Sequence, residues 1–317
     1  MDEKTANQRQ EKIIAPDLSV DLGGIILKNP VLAASGPFGY GREYGELTNF
    51  KDLAGIIVKG VSLEPWSGNP PPRITETPAG MLNAVGLQNP GLESFIKDDL
   101  PYLRTLDLRI IVNVVGCSID EYAKVACRLS GEAGIDGLEL NISCPNIKAG
   151  GMAFGTDPAA THLVVEAVRR ETKLPLLVKL TPNVADIGII ARAAEEAGAD
   201  GISLINTLSG MLIDTVKKRP LLGNAFGGLS GPAIMPVALR MVWQAAEAVR
   251  IPILGMGGIT TADDALQFIM AGARAVAVGT GFFYNPELAK VLKTGLEQYL
   301  KKEGLAGLKQ LEGIARF

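Results

Sequence analysis

The sequence predicts an α/β fold, a (β/α)₈ TIM barrel that forms a single domain over residues 1–317. Two observations predict it: eight short, continuously apolar runs, and helical patterns with caps between most of them. Continuous apolar runs are typical of parallel strands that are buried on both faces. An open doubly wound sheet is the alternative, but no G-x-G-x-x-G follows the first run, which favours the barrel.

The eight runs are the predicted barrel strands, numbered 1 to 8 in chain order. They cover residues 31–35, 55–60, 109–116, 137–143, 175–181, 201–207, 252–258 and 275–281. Helices with recognisable ends are predicted between several of them, over residues 118–129, 158–171, 185–198 and 261–272. Ser118 and Glu121 form a capping-box pattern, and Asp157-Pro158 is a typical helix start. The connections are short enough for right-handed crossovers between parallel strands.

The remaining segments lie outside the repeated strand–helix pattern of the barrel. The sequence SVDLGGIILKNP over residues 19–30 predicts a small hairpin that caps the bottom, opposite the site. Insertions over 61–108 and 208–251 follow the C-terminal ends of strands 2 and 6, where barrel enzymes build their sites. Residues 1–16 are polar and are expected to form a flexible tail, whereas one long helix and a short amphipathic tail are expected from Pro286.

Composition excludes several classes of function. The net charge is −3 and 47% of the residues are hydrophobic, so the chain is globular and lacks the basic surface of a nucleic-acid-binding protein. No apolar stretch reaches the roughly 18 residues of a membrane helix, and the polar start is no targeting signal, so we expect a cytoplasmic protein. The three cysteines form no CxxC pair, and no metal site is expected. Cys117 and Cys127 are expected to be small buried apolar residues.

Polar residues and glycines at the strand ends predict a ligand site. They are Ser35, Lys59, Asn113, Asn141, Lys179, Asn206, Thr207, Gly257, Gly258, Gly279 and Thr280. Side chains there face the barrel mouth, and lysines and asparagines inside apolar runs are costly unless they are paired or bind something. The loops GMGGIT and VGTGF after strands 7 and 8 predict a phosphate cradle, which suits flavin mononucleotide (FMN), a sugar phosphate or a nucleotide equally well.

Six motifs carry a resemblance to a known family. They are AASGPFGYG, MLNAVGLQNPG, NISCPN, AFGTDP, INTLSG and GGLSGPAI. In these motifs the chain resembles the catalytic chain of dihydroorotate dehydrogenases, most closely in their soluble, NAD-linked branch, from about Leu18 to Phe283. The resemblance implies an FMN-containing barrel that oxidises (S)-dihydroorotate to orotate in de novo pyrimidine (UMP) biosynthesis.

The resemblance also implies which residues bind the two ligands. FMN would be held by Ala34, Ser35, Gly36, Lys59, Asn113, Asn141, Lys179, Ile205, Ser230, Gly231, Gly257, Gly258, Gly279 and Thr280. Substrate would be held by Lys59, Asn83, Gly86, Leu87, Asn141, Asn146, Asn206 and Thr207. Lys179 would stabilise negative charge on the reduced flavin, and Lys59 would pair with the orotate carboxylate.

Cys144 is the candidate catalytic base. Oxidation of dihydroorotate removes a hydride from C6 and a proton from C5, so a base must face the substrate. A free thiol has a pKa of about 8.5, closer to neutral pH than a hydroxyl, and Cys144 directly follows strand 4. The glycine-rich KAGGMAFG that follows is expected to act as a lid that excludes water.

The sequence also indicates what the chain lacks. An iron–sulfur cluster needs about four thiolates, and no dinucleotide fingerprint follows any strand. The resemblance therefore implies a partner subunit that carries FAD and a [2Fe–2S] cluster, bound to a homodimer of this chain within a heterotetramer.

Several other functions remain open from the sequence. A fumarate-linked dihydroorotate dehydrogenase and a flavoenzyme similar to dihydropyrimidine dehydrogenase are alternatives within flavin chemistry. A Schiff-base aldolase or a sugar-phosphate isomerase, with Lys59 or Lys179 as its reactive residue, is the alternative of a different class. A non-catalytic binding barrel would leave Cys144 and both lysines without a role.

Overall fold

The computed structural model of the protein describes residues 15–143 and 154–316. Its centre is a closed barrel of eight parallel strands, each paired with its neighbours in chain order, and strand 8 pairs with strand 1. The barrel strands 1 to 8 are Val31–Ala33, Gly55–Ile57, Arg109–Val114, Gly137–Asn141, Leu176–Lys179, Gly201–Leu204, Ile253–Met256 and Ala275–Val278. Nearly every residue in them is buried, which explains the continuous apolar runs. The predicted (β/α)₈ barrel is confirmed.

Helices surround the barrel. The α-helices are Leu92–Ser94, Leu100–Leu103, Ile119–Ser130, Pro158–Glu171, Ile187–Glu196, Met235–Ala248, Ala262–Met270, Gly281–Tyr284 and Leu288–Glu303, with a π-helical turn at Phe95–Asp99. Short 3₁₀ helices lie at Arg42–Tyr44, Phe50–Asp52, Pro232–Ile234 and Leu308–Gln310. No helix among the described residues is both long and apolar enough to cross a membrane.

The predicted helix starts are confirmed by their caps. Asp157 accepts a hydrogen bond from the Ala160 N–H, which satisfies a donor that the helix itself leaves free. Ser118 accepts from the Glu121 N–H, but the Glu121 carboxylate accepts from the Cys117 N–H instead of the Ser118 N–H. The second hydrogen bond of the capping box therefore comes from the N–H one residue before the N-cap.

Two features of the barrel differ from the sequence prediction. The strands end two to three residues earlier than predicted, because residues such as 205–207 leave the strand ladder and line the barrel mouth. Only 3₁₀ turns follow strand 1 before strand 2 begins. The C-terminal helix Leu288–Glu303 packs against strand 1.

The predicted hairpin closes the bottom of the barrel. Its strands Val20–Leu22 and Ile25–Leu27 pair antiparallel through a turn at Gly23 and Gly24, both with positive φ. Gly23 lies against the backbone of Asp200, the residue before strand 6, so the hairpin sits at the N-terminal ends of the strands. The opposite end is left open for the insertions.

The two insertions meet in one antiparallel sheet. Its four strands, which we call the insertion sheet, lie in the order Leu208–Gly210, Gly227–Ser230, Gly80–Asn83 and Ile74–Thr77. The strands Ile74–Thr77 and Gly80–Asn83 come from the first insertion. The strands Leu208–Gly210 and Gly227–Ser230 come from the second insertion. A small apolar cluster of Leu82, Ala84 and Leu222 supports this sheet, separate from the large core of the barrel and its helices.

Candidate active site

A cavity of about 680 Å³ opens at the C-terminal end of the barrel. Its walls combine the ends of the barrel strands with the insertion sheet. A cavity of this size at this end of the barrel is where a cofactor and a small substrate are expected to bind.

Every described residue that the sequence assigned to a ligand lines this one cavity. The cofactor set is Ala34, Ser35, Gly36, Lys59, Asn113, Asn141, Lys179, Ile205, Ser230, Gly231, Gly257, Gly258, Gly279 and Thr280. The substrate set adds Asn83, Gly86, Leu87, Asn206 and Thr207. Cys144 and Asn146 lie outside the described residues, as does most of the predicted lid.

The barrel side of the cavity ends in a buried ionic group. The Lys179 ammonium lies 3.5 Å from a carboxylate oxygen of Glu139, and Lys179 also donates to the Ser35 hydroxyl at 3.1 Å. The Glu139 carboxylate is fully buried, and the Lys179 side chain is only 7% exposed. Burial strengthens the attraction between these charges because little water screens them. We call Ser35, Asn113, Glu139, Asn141 and Lys179 the strand-end cluster.

Three asparagines continue from this ionic group. The Asn113 amide donates to Glu139 Oε1 at 2.6 Å, and Asn141 donates to Asn113 Oδ1 at 3.3 Å. Asn206 in turn donates to Asn141 Oδ1 at 3.4 Å. These residues end strands 3 and 4 and follow strand 6, so the parallel ladder brings them to the same edge of the barrel.

Lys59 follows strand 2 and faces the cavity from a half-buried position. Its backbone N–H donates to the Gly39 carbonyl at 2.9 Å, which anchors the residue where the strand ends. Desolvation lowers the pKa of the Lys59 ammonium, nearby Glu43 opposes this change, and Arg73 adds to it. An anionic ligand would stabilise the charged form of this lysine, so the position suits a carboxylate.

Three glycines of the predicted cofactor set, Gly36, Gly258 and Gly279, occupy two different kinds of position. A Cβ added to Gly36 would meet no atom within 4 Å, and at Gly279 the nearest neighbour would be 3.7 Å away. A side chain at either position would therefore occupy open space at the cavity wall. Gly258 instead has φ +80° and lies against Met235 and the Gly231 carbonyl, which a Cβ would approach to 2.7 and 2.9 Å. The sequence placed Gly258 in a predicted phosphate cradle, but backbone conformation and packing by themselves require glycine there.

The insertion sheet supplies the opposite wall of the cavity. Gly228 pairs with Asn83, and the Asn83 amide donates to the Gly228 carbonyl at 3.4 Å. A Cβ on Gly228 would overlap the Thr207 hydroxyl, so a glycine is needed between these two predicted substrate residues. Thr280, after strand 8, donates to the Ser230 hydroxyl at 2.8 Å and joins the sheet to the barrel.

Sequence reasoning missed Glu139 and misjudged two cysteines. Glu139 stands inside the apolar run GLELNIS, and the rule that selected the lysines and asparagines would also have selected it. Cys127 is exposed and Cys117 is half-buried, so the expectation that both are buried was wrong. The buried face of helix Ile119–Ser130 consists of Tyr122, Val125 and their neighbours, and Cys127 lies on the other face. The described residues contain no group of three or more side chains suited to a metal ion.

Comparison with known proteins agrees with this geometry. A family model described as dihydroorotate dehydrogenase matches residues 17–300. A protein of Desulforudis audaxviator is 58% identical over 297 residues, which are 94% of this chain and 97% of that relative. Relatives from Geotalea uraniireducens and Alkaliphilus metalliredigens are 54% and 56% identical, each over 94% of this chain and 98% of their own length. All three are named dihydroorotate dehydrogenase B (NAD(+)), catalytic subunit. The chain therefore belongs to the dihydroorotate dehydrogenase family.

Proposed function

We propose that this chain is the catalytic subunit of an NAD-linked dihydroorotate dehydrogenase. It oxidises (S)-dihydroorotate to orotate in de novo pyrimidine biosynthesis. The close relatives that carry this name support the activity. The observation that carries the proposal is the single cavity on which Lys59, Lys179 and the asparagine chain converge.

The cavity suits FMN as the resident cofactor. A flavin ring has carbonyl and N–H groups along one edge, and the strand-end cluster presents an ammonium and two amides that match them. Gly36 and Gly279 leave open space at the wall, as a ligand with a phosphate or a flat ring requires. The residues that would hold FMN are those of the cofactor set given above.

A bound flavin supplies a two-electron acceptor for the hydride from C6. The cavity lining supports a position for that acceptor beside the strand-end cluster. Lys179, held by Glu139 and Ser35, offers positive charge to the polar edge of the ring. Lys179 and Glu139 are both buried, so moving the ammonium group away would leave a buried carboxylate without its cation.

The substrate would lie between the strand-end cluster and the insertion sheet. Lys59 binds its carboxylate, and Asn83, Asn141, Asn206 and Thr207 bind its cyclic ureide edge, where N–H and C=O groups alternate. Gly86 and Leu87 contribute to the same wall. Asn146 belongs to the proposed substrate set through its match to the family motif alone.

Cys144 is the proposed base for the C5 proton. It directly follows Ser143, which lines the cavity and whose hydroxyl donates to the Lys179 carbonyl at 3.2 Å. The chain lines the cavity again at Gly155 and Thr156. Described residues on both sides of Cys144 thus line the cavity, which supports both the base and a water-excluding lid.

Electrons then leave through a partner. The three cysteines of the chain are too few for a base and a cluster of about four thiolates. The partner subunit would carry FAD and a [2Fe–2S] cluster, and two copies of this chain, each a single FMN-binding domain, would form the dimeric centre of a heterotetramer in the cytoplasm. The isolated chain should therefore pass electrons from dihydroorotate to artificial dyes but hardly to NAD.

An anaerobic titration tests the proposed function. The purified chain should be yellow and release FMN, and dihydroorotate added without oxygen should bleach its flavin absorbance. A colourless, folded preparation would instead favour an aldolase or an isomerase. Bleaching followed by rapid reoxidation with fumarate would assign the chain to the fumarate-linked branch. NAD turnover by the chain alone, at the rate seen with dyes, would contradict the partner subunit.

A further inference from the structure

Leu87, in the first insertion, has a backbone conformation that leucine rarely adopts. Its φ is +54°, in the left-handed region, and the preceding Gly86 has φ +76°. Glycine adopts positive φ without cost, but the Cβ of leucine then comes too close to a backbone oxygen. Both residues line the cavity and belong to the proposed substrate set. A conformation of this kind persists only where the surrounding structure holds it, so a neighbour must stabilise Leu87.

Asn89 makes the hydrogen bond that holds this backbone. Its Nδ2 donates to the Leu87 carbonyl at 2.9 Å. No other hydrogen bond in the described part of the chain reaches the backbone of Gly86 or Leu87. The chain on either side is held separately, since the Val85 carbonyl accepts a backbone hydrogen bond at 3.1 Å and Asn89 pairs with Trp66 through two others. The Asn89 side chain thus holds the part of the loop that these contacts leave out.

The Asn89 side chain is itself held at both ends of its amide. It is 6% exposed and is not among the residues that line the cavity. Its Oδ1 accepts from the N–H groups of Ser62 and Gly91 at 3.3 and 2.9 Å, and its Nδ2 also donates to the Ser62 hydroxyl at 2.8 Å. Two N–H donors at the oxygen fix which way the amide points, so the nitrogen must face the Leu87 carbonyl.

Ser62 connects this amide to the barrel. It is 1% exposed and follows Val61, whose N–H donates to a carbonyl of strand 3 at 2.8 Å. Lys59, the proposed partner of the substrate carboxylate, lies three residues earlier on the same segment. The contact between Ser62 and Asn89 therefore connects the Leu87 backbone to the segment that carries Lys59.

We propose that Asn89 is a positioning residue that holds Leu87 in the left-handed conformation and so places the Gly86–Leu87 backbone against the substrate. A negative φ at Leu87 would turn the peptide group between residues 86 and 87 relative to the anchored chain after it, so its N–H and C=O would face elsewhere. Asn89 acts through Leu87 and touches no ligand itself. The inference rests on the proposed function, because the ligand placed against this backbone is dihydroorotate or orotate.

Orotate binding by an Asn89 variant tests this role. Orotate is titrated into FMN-loaded protein, and its Kd is read from the change in flavin absorbance. Asn89→Asp keeps the shape and the acceptor oxygen of the side chain but replaces the donor with a second oxygen, which repels the Leu87 carbonyl. The Kd should rise about tenfold, the order of one lost hydrogen bond. FMN content should stay at the wild-type level, because Asn89 does not line the cavity.

Two backgrounds decide whether the effect passes through the conformation of Leu87. Leu87→Gly and Leu87→Ala both remove most of the side chain, but only alanine keeps the Cβ that disfavours positive φ. In the Leu87→Ala background, which is the matched control, Asn89→Asp should again raise the Kd about tenfold. In the Leu87→Gly background the left-handed conformation no longer needs support, so the rise should be about twofold or less.

An equal rise in the two backgrounds would make Asn89 a general structural residue of the loop and overturn its proposed role. An unchanged Kd in Asn89→Asp with Leu87 in place would overturn it as well. If Asn89→Asp does not load FMN, Asn89→Ala replaces it in both backgrounds, since alanine removes the donor without adding a charge. If the wild-type chain binds no FMN or orotate, it is the proposed function that fails.

Discussion

The strand-end cluster and the insertion sheet form the two sides of one cavity, but they are built on different principles. In the cluster, Glu139, Asn113 and Lys179 are 0%, 1% and 5% exposed, and all three belong to the central parallel barrel. In the sheet, the strand Gly227–Ser230 is half-buried throughout, and neighbouring Phe226 is 61% exposed. Substitutions in the cluster should therefore affect folding and cofactor together, while those in the sheet should affect substrate more selectively.

The largest effect is expected from a residue that belongs to neither region. Both sides bind and orient under the proposed function, so Cys144→Ala should leave FMN and orotate binding in place. Bleaching of the flavin by dihydroorotate should slow about 10²–10⁴-fold, as expected for a lost positioned base. Stopped-flow absorbance under anaerobic conditions measures this rate.

Exposed Cys127 is the matched control for that change, and Cys127→Ala should reduce the flavin at the wild-type rate. Cys144→Ser should stay strongly impaired near neutral pH, because a hydroxyl is much harder to deprotonate. A wild-type rate in Cys144→Ala would assign the proton to another base.

Within the strand-end cluster, Lys179→Met should have the next largest effect. It leaves the Glu139 carboxylate buried without its cation, which costs about 3–5 kcal/mol in free energy of unfolding. Urea denaturation of the FMN-free protein measures the loss. Lys28→Met breaks the exposed ion pair with Asp107, where the Lys28 side chain is 40% exposed, and should cost at most about 1 kcal/mol. Equal losses in the two variants would contradict a special role for burial.

In the insertion sheet, Gly228→Ala should weaken substrate binding more than FMN binding. The added methyl group would displace the Thr207 hydroxyl, and the Kd for orotate should rise about tenfold, the order of one lost hydrogen bond. The urea midpoint should fall as well, because the new Cβ would also lie 2.5 Å from the Thr207 Cβ, whereas FMN content should change little. Gly131→Ala, where the nearest atom would be 3.6 Å away, is the harmless counterpart. A loss of FMN from Gly228→Ala as large as the loss of orotate affinity would contradict this selective effect on substrate.

The smallest effect is a pH dependence that arises at Lys59. Desolvation lowers its pKa from the ordinary value of 10.5, and only the protonated ammonium attracts the orotate carboxylate. Orotate binding should therefore weaken as the pH rises, beginning below the range in which an ordinary lysine titrates. Glu43 raises this pKa, so Glu43→Gln should move the loss to lower pH still.

Lys59→Arg supplies the reference for this titration, since arginine stays charged throughout. Any remaining pH dependence in that variant belongs to the ligand or to other groups. A profile for the wild-type chain that matches Lys59→Arg would exclude Lys59 as the partner of the carboxylate.

The barrel and its strand-end residues could be predicted from sequence because their determinants are local. A parallel strand buried on both faces must be apolar along its whole length, and a helix start needs a capping side chain such as Asp157 or Ser118. Closure of the barrel then brings the polar residues at the strand ends together, and this does not depend on the conformation of the loops. Glu139 could have been found in the same way, since it is a charge inside such a run.

Only the tertiary structure decided how the two insertions combine and which way the amides point. Asn83 and Gly228 are 145 residues apart, and no local pattern specifies that their strands pair. The need for glycine at 228 is a contact with Thr207, which neither segment shows by itself. The direction of the Asn113 amide likewise depends on Glu139 and Asn141 from the next strand, because an amide offers a donor and an acceptor until a neighbour fixes which is used.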